Sequence, residues 1–221
     1  MILTNRRFER EPPTREAKSI YIFCEGAKRE YQYFEYFREM DSRINVEIYK
    51  LNHTEDNSPL GLFNIATNCI VLSDKNPNPK YSFQEKDEVW LVFDTDIDKN
   101  NSRTAQIDKL RLECSKKLNW YAVQSNPCFE VWLHYHKFEN KPTFEGDSLC
   151  SNWKNFVNDS YPGGFDSRKY PIYIEHASKN AENNFSSENG VPNIGSKEVF
   201  RLANSIFPLL KFKITKVLKE I

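Results

Sequence analysis

Val89-Trp90-Leu91-Val92-Phe93-Asp94-Thr95-Asp96-Ile97-Asp98 is the stretch that decides the fold: five apolar side chains without alternation, running into three carboxylates. An unbroken apolar run of this length suits a strand covered on both faces, as in a parallel sheet. A second such run, Ser19-Ile20-Tyr21-Ile22-Phe23-Cys24, stops at Glu25-Gly26. Asn45–Leu51 alternates like a strand, and Trp120-Tyr121-Ala122-Val123 reads as a fourth, ending at Gln124-Ser125-Asn126-Pro127. Helical patterns fill the gaps. Ala27–Met40 carries Tyr33, Phe37 and Met40 in one row, and Leu60 to about Leu72 ends at the breaker Asn76-Pro77-Asn78-Pro79. Ile107, Leu110, Cys114 and Leu118 recur with the period of one buried helix face, and Pro127 suits the first turn of a helix over Cys128–His136. Strand and helix in alternation predict an α/β core with a mostly parallel sheet flanked by helices.

The remainder divides into an arm and an extension. Residues 1–18 hold Pro12-Pro13 and the basic residues Arg6, Arg7, Arg10, Arg15 and Lys18, which predicts a flexible or loosely docked arm. The core then spans 19–138, and 139–221 reads as a mainly helical part packed on it, with Val199, Leu202, Ala203 and Ile206 on one face. Among the 221 residues are 31 Lys+Arg against 31 Asp+Glu, so the formal net charge is zero, which argues against a purely electrostatic nucleic-acid coat. Sixteen Phe, 11 Tyr and 4 Trp argue against disorder. No run reaches the ~18–20 apolar residues of a membrane span, the N-terminus lacks a secretory pattern, and five cysteines without CxxC pairing fit reduced thiols; the expectation is a cytoplasmic protein with no membrane partner.

Carboxylates at the ends of two strands meet if those strands are neighbours. Two of them about 4 Å apart repel by roughly 4 kcal/mol at an effective dielectric near 20, so a cluster must bind a metal, shift its pKa values or stay apart. Hard oxygen ligands suit Mg²⁺ or Mn²⁺. A calcium loop starting at Asp94 would want Gly and Glu where Lys99 and Ala105 stand, and a phosphatase Asp-x-Asp-x-Thr would want Thr where Asp98 stands. A metal-binding Asp-x-Asp partnered by Glu-Gly on an earlier strand remains, beside the plainer alternative of a polar loop with Asx turns and a helix cap.

Glu25-Gly26 after one buried strand and Asp94-x-Asp96 after another resemble the Toprim domain of topoisomerases, primases and overcoming-lysogenization-defect nucleases. More closely, Ile22–Glu30 with Tyr33-Phe34, then Val92–Asp96, then Ser125-Asn126-Pro127-Cys128-Phe129-Glu130-Val131-Trp132-Leu133 resemble the RloB family, small Toprim-like proteins found beside restriction and phage-defence genes. The resemblance implies a Rossmann-like Toprim fold and a metal-dependent nuclease acting on DNA or RNA, with an RloA-like ATPase as partner; a homodimer stays open. By position it implies that Glu25 is a metal ligand or general acid/base, that Asp94 and Asp96 bind metal, and that Glu30 and Glu130 help hold a second ion. Lys28 would contact the scissile phosphate, and Arg29, Arg15 and Lys18 would lie along a polyanion. Two cations about 3.5–4 Å apart can stabilise both the attacking and the leaving oxygen of a phosphodiester.

Plainer roles compete. Glu30 and Glu130 each sit in a first helical turn, where a carboxylate gains ~0.3–1 kcal/mol from the dipole without any metal, and Lys28 suits a solvated charge. The alternative function is a non-catalytic nucleic-acid-binding or regulatory subunit that keeps the fold. His134 and His136, two apart, share no helix face and make a poor metal pair. Trp153, Tyr161, Tyr170 and Tyr173 could stack on bases, although core packing explains most of them.

Overall fold

A computed structural model of the chain describes residues 8–74, 76–95, 102–144 and 150–220. Strands β1 (Lys18–Cys24), β2 (Ile44–Tyr49), β3 (Glu88–Asp94) and β4 (Trp120–Ser125) form a parallel sheet in the order β2-β1-β3-β4. The two unbroken apolar runs occupy its centre, as burial on both faces requires. Along β1, Ile20, Ile22 and Cys24 enter one core while Tyr21 and Phe23 enter the other; along β3, Trp90 and Val92 oppose Val89, Leu91 and Phe93 in the same way. The architecture is therefore α/β and Rossmann-like, with helices over both faces.

Helices α2 (Pro59–Ile70) and α3 (Ser102–Ser115) cover one face, α2 starting at Ser58, whose hydroxyl accepts from the Gly61 N–H at 3.2 Å. On the other face lie α1 (Arg29–Glu35), α4 (Glu130–His134), α5 (Cys150–Ser160), α6 (Ile174–Asn183) and α7 (Val199–Lys219). Val199, Leu202, Ala203 and Ile206 of α7 are buried, and one apolar cluster runs from β1 to Val217 without a break near residue 138. A two-residue ribbon, β5 (Ser187–Glu188) with β6 (Val191–Pro192), precedes α7.

Two expectations need correction. The first helix does not continue to Met40: after Glu35 the backbone tightens to three-residue hydrogen bonds, such as Phe37 N–H to Phe34 O at 3.0 Å, and Glu39 turns the chain at φ 57°. Such tightening is common at helix ends, and here it still buries Phe37 and Met40. Leu118 is 62% exposed because α3 has already ended and Asn119 (φ 58°) redirects the chain into β4. From Phe8 onward the arm is docked: Phe8 meets the Tyr36 ring edge-on at 5.5 Å, and the N–H groups of Glu11 and Thr14 donate to Glu39 O and Ser42 O, both at 2.8 Å. Among the described residues no helix is long and apolar enough to cross a membrane.

Candidate active site

The chain passes from β1 outward to β2, returns to β3 on the other side of β1 and continues to β4. The carboxyl ends of β1 and β3 thus lie side by side where the direction of winding reverses, the usual place for a ligand crevice in an open α/β sheet. Glu25 and Asp94 meet there. Glu25 continues the ladder through its N–H to Val92 O at 2.9 Å, and its Oε2 accepts the Asp94 N–H at 3.0 Å. The same Oε2 accepts from Arg103 Nη2 at 2.5 Å, and the guanidinium also donates to Asp94 O at 2.7 Å and Thr95 O at 3.2 Å. The Arg103 and Glu25 side chains are only 9% and 11% exposed, so this is a nearly buried ion pair that ties α3 to both strand ends.

Glu30, Asp94 and Glu130 lie near enough to a second cation, Lys197, to act on its charge. Lys197 is fully buried, its Nζ donating to Phe129 O at 3.2 Å and lying 4.0 Å from the centre of the Phe129 ring. Burial drives its pKa down to about 7, while Asp94, Glu30, Cys128 and Glu130 pull upward against that shift. Burial first, then repulsion from Glu30, pushes the Asp94 carboxyl well above the usual range; Lys197 opposes the shift and Glu25 and Glu130 add to it. Protein surrounds that carboxyl, although Asp94 as a residue keeps a partial opening to solvent. Glu30, nearly buried, is raised by burial against its own backbone hydrogen bond, with Glu130 and Glu25 adding repulsion.

Lys197 is placed by backbone pairing: Ser125 and Lys197 form an antiparallel bridge, and the Glu198 N–H donates to Gln124 O at 2.9 Å. The buried Glu198 carboxylate accepts from the Gln124 N–H at 3.0 Å and from Arg111 Nη2 at 2.6 Å, which anchors the segment to β4 and α3. Thr95 bonds Ser125 O through both its N–H and its hydroxyl at 2.8 Å, joining the ends of β3 and β4. Gly26 supplies room. A β-carbon there would lie 1.8 Å from Glu30 Oε2, so the missing side chain is what lets the Glu30 carboxylate fold back over the strand end.

The structure therefore brings Glu25, Asp94, Glu30 and Glu130 together. Asp96 and Asp98, like Arg6 and Arg7, fall outside the described residues. Lys28 is exposed at the start of α1, and Arg29 reaches the rim with Nε 4.0 Å from Glu130 Oε1. Arg15 and Lys18 are not brought to the site. They precede or begin β1, and Lys18 pairs with Glu88 at 2.5 Å at the amino end of β3, one strand length or about 20 Å away. In a parallel sheet the start and the end of a strand lie on opposite edges, so nearness in sequence to Glu25 does not bring them near it in space.

The histidines stay apart from the acids: His134 Nε2 pairs with Asn140 O at 2.8 Å, and His136, driven down to about 3 by burial, sits between Tyr33 Oη and Trp132 O, each at 3.0 Å. Trp153 and Tyr161 are core residues, buried too deeply to stack on a base. Sequence reasoning missed Arg103 and Lys197. Arg103 left one trace, a cation in the first turn of a helix, where the dipole disfavours it. Lys197 left none, since a lysine before a helix looks solvated.

Fold and site together define an α/β protein with a polar, carboxylate-rich centre where the winding of the sheet reverses. The family model described as RloB-like protein matches residues 20–204, and the chain belongs to that family. No curated protein and no solved structure matches it.

Proposed function

We propose that the chain is a Mg²⁺- or Mn²⁺-dependent nuclease of Toprim-like type, hydrolysing phosphodiester bonds of DNA or RNA in a cytoplasmic anti-phage or restriction-associated system with an ATPase partner. A charge count carries the reading. Glu25 is matched by Arg103 and Glu198 by Arg111. Asp94, Glu30 and Glu130 share one buried ammonium, Lys197, and only the part-exposed Arg29, 4.0 Å from Glu130, adds a second positive charge at the rim. The buried centre is therefore short of positive charge, which a divalent cation would supply, and an all-oxygen donor set suits a hard ion.

Asp94, Glu30 and Glu130 are the ligands this chain offers, with the free oxygen of Glu25 beside them. A bound ion would supply Lewis-acid polarisation of the phosphate and a more acidic water. Arg103 holds Glu25 by one oxygen and fixes its direction. Lys197, near neutrality in its pKa, can hold or release a proton at Nζ beside the carboxylates, and Arg29 presents a cation at the mouth for a phosphate.

One observation favours the non-catalytic reading: the Arg103 pair already neutralises Glu25, as a structural clamp would. Purified chain incubated with Mg²⁺ or Mn²⁺ and single-stranded DNA, duplex DNA or RNA should nick or degrade one of them. Asp94→Ala should abolish cleavage with its circular dichroism unchanged. Cleavage that survives in Glu25→Ala/Asp94→Ala sinks the proposal; metal binding without cleavage of any substrate, even with the ATPase partner added, turns it to the regulatory reading.

A further inference from the structure

We infer that Cys128, Cys150 and Glu130 form a site for one thiophilic divalent cation of the zinc class, which shares only Glu130 with the acid cluster and does not depend on whether the chain cuts phosphodiesters. The two cysteines are far apart in sequence and form no CxxC pair, yet packing of α4 against α5 sets them face to face. Their sulfurs and one Glu130 oxygen all lie within 4.8 Å of one another. Zinc–sulfur bonds of about 2.3 Å place tetrahedral ligands roughly 3.8 Å apart, so closing on an ion needs a movement of about 1 Å or less.

Cys128 and Glu130 are buried, which fixes their side chains, and half-buried Cys150 gives an ion its way in. The Cys128 thiol now donates to Cys150 O at 3.8 Å, and Lys154, four residues along the same helix from Cys150, is placed to balance the charge of a thiolate. Two sulfurs and one oxygen favour Zn²⁺ over Mg²⁺, and three protein ligands leave a fourth position for water. Uptake is a proton exchange: one M²⁺ enters, both thiols form metal–sulfur bonds and two protons leave, with no change in oxidation state.

The test uses the full chain, kept reduced, and Co²⁺ as the probe. One equivalent should bind with sulfur-to-cobalt charge-transfer bands in the near ultraviolet, Zn²⁺ should displace it, and uptake should weaken as pH falls. Cys150→Ser, at a half-buried helix start, should lose the bands, as should Cys128→Ser. Asp94→Ala should keep them, so this result and the nuclease result can fail separately. Wild-type protein whose five thiols all titrate after denaturation, and which when folded binds Co²⁺ without those bands or binds none, overturns the inference whether or not the variants fold.

Discussion

Gly26→Ala tests the packing of the acid cluster through a single methyl group. Gly26 does not adopt a left-handed backbone angle, so glycine is needed there for space alone. The new β-carbon would fall 1.8 Å from Glu30 Oε2 and 2.3 Å from Oε1, whereas ordinary contact begins near 3.4 Å, so the carboxylate must withdraw by about 1.6 Å. It is the far end of a flexible side chain, and turning it away costs less than moving the strand. Overpacking of this kind costs about 1–3 kcal/mol, part of it offset because a like charge leaves the side of Asp94. In a Glu30→Ala background the three atoms nearest the new β-carbon are gone, and the same substitution should cost far less. Urea denaturation of the wild type, the two single variants and the double variant should give a coupling of about 1 kcal/mol or more. Additivity within about 0.5 kcal/mol would refute the reasoning, because Gly26 and Glu30 would then not share that space.

Arg103→Ala should destabilise the chain by about 3 kcal/mol, since it leaves the nearly buried Glu25 carboxylate unpaired and removes a donor to Asp94 O and Thr95 O. A loss under about 0.5 kcal/mol by thermal or chemical melting means that Glu25 is held by something else. Stability against pH follows from the raised carboxyls. The folded chain keeps protons on Asp94 and Glu30 that the unfolded chain has already released, so stability declines as pH rises from the ordinary carboxylate range through the raised values. Glu30→Gln should flatten that decline in melting temperatures taken from about pH 4 to pH 8, and an unchanged slope contradicts the assignment. Lys197 acts the other way: lowered to about 7, it makes stability rise with pH from there toward its ordinary value near ~10.4, a rise that Lys197→Met should remove.

Much of the fold was legible because its signals are local. Continuous apolar runs marked the two central strands, and each stopped at the residue type that builds the crevice. Strand order was not legible: nothing in Ile20–Cys24 or Val89–Phe93 says that β1 and β3 adjoin, and only that adjacency lets Glu25 take the Asp94 N–H. Helix ends were the weakest reading, because Phe37 and Met40 stay buried whether the chain is helical or tightened into turns.

The site shows why a sequence yields ligands more readily than what surrounds them. Carboxylates at strand ends announce themselves, because acids directly after an apolar run have few other reasons to be there. The groups that set their charge state come from wherever the chain returns: Arg103 from the next helix, Lys197 from just before α7, Glu130 from beyond β4. Arg103 and Lys197 look like ordinary surface charges in sequence, and only burial separates a cation that neutralises Glu25 from one that fails to balance Asp94, Glu30 and Glu130. The zero net charge of the chain is silent on this point. The local excess of negative charge can be met by protons or by a divalent ion, and the two compete for the same oxygens. A Mn²⁺-dependent rise in melting temperature that is larger at about pH 8 than at about pH 5 is therefore the expected mark of the ion, and a rise independent of pH would place it elsewhere.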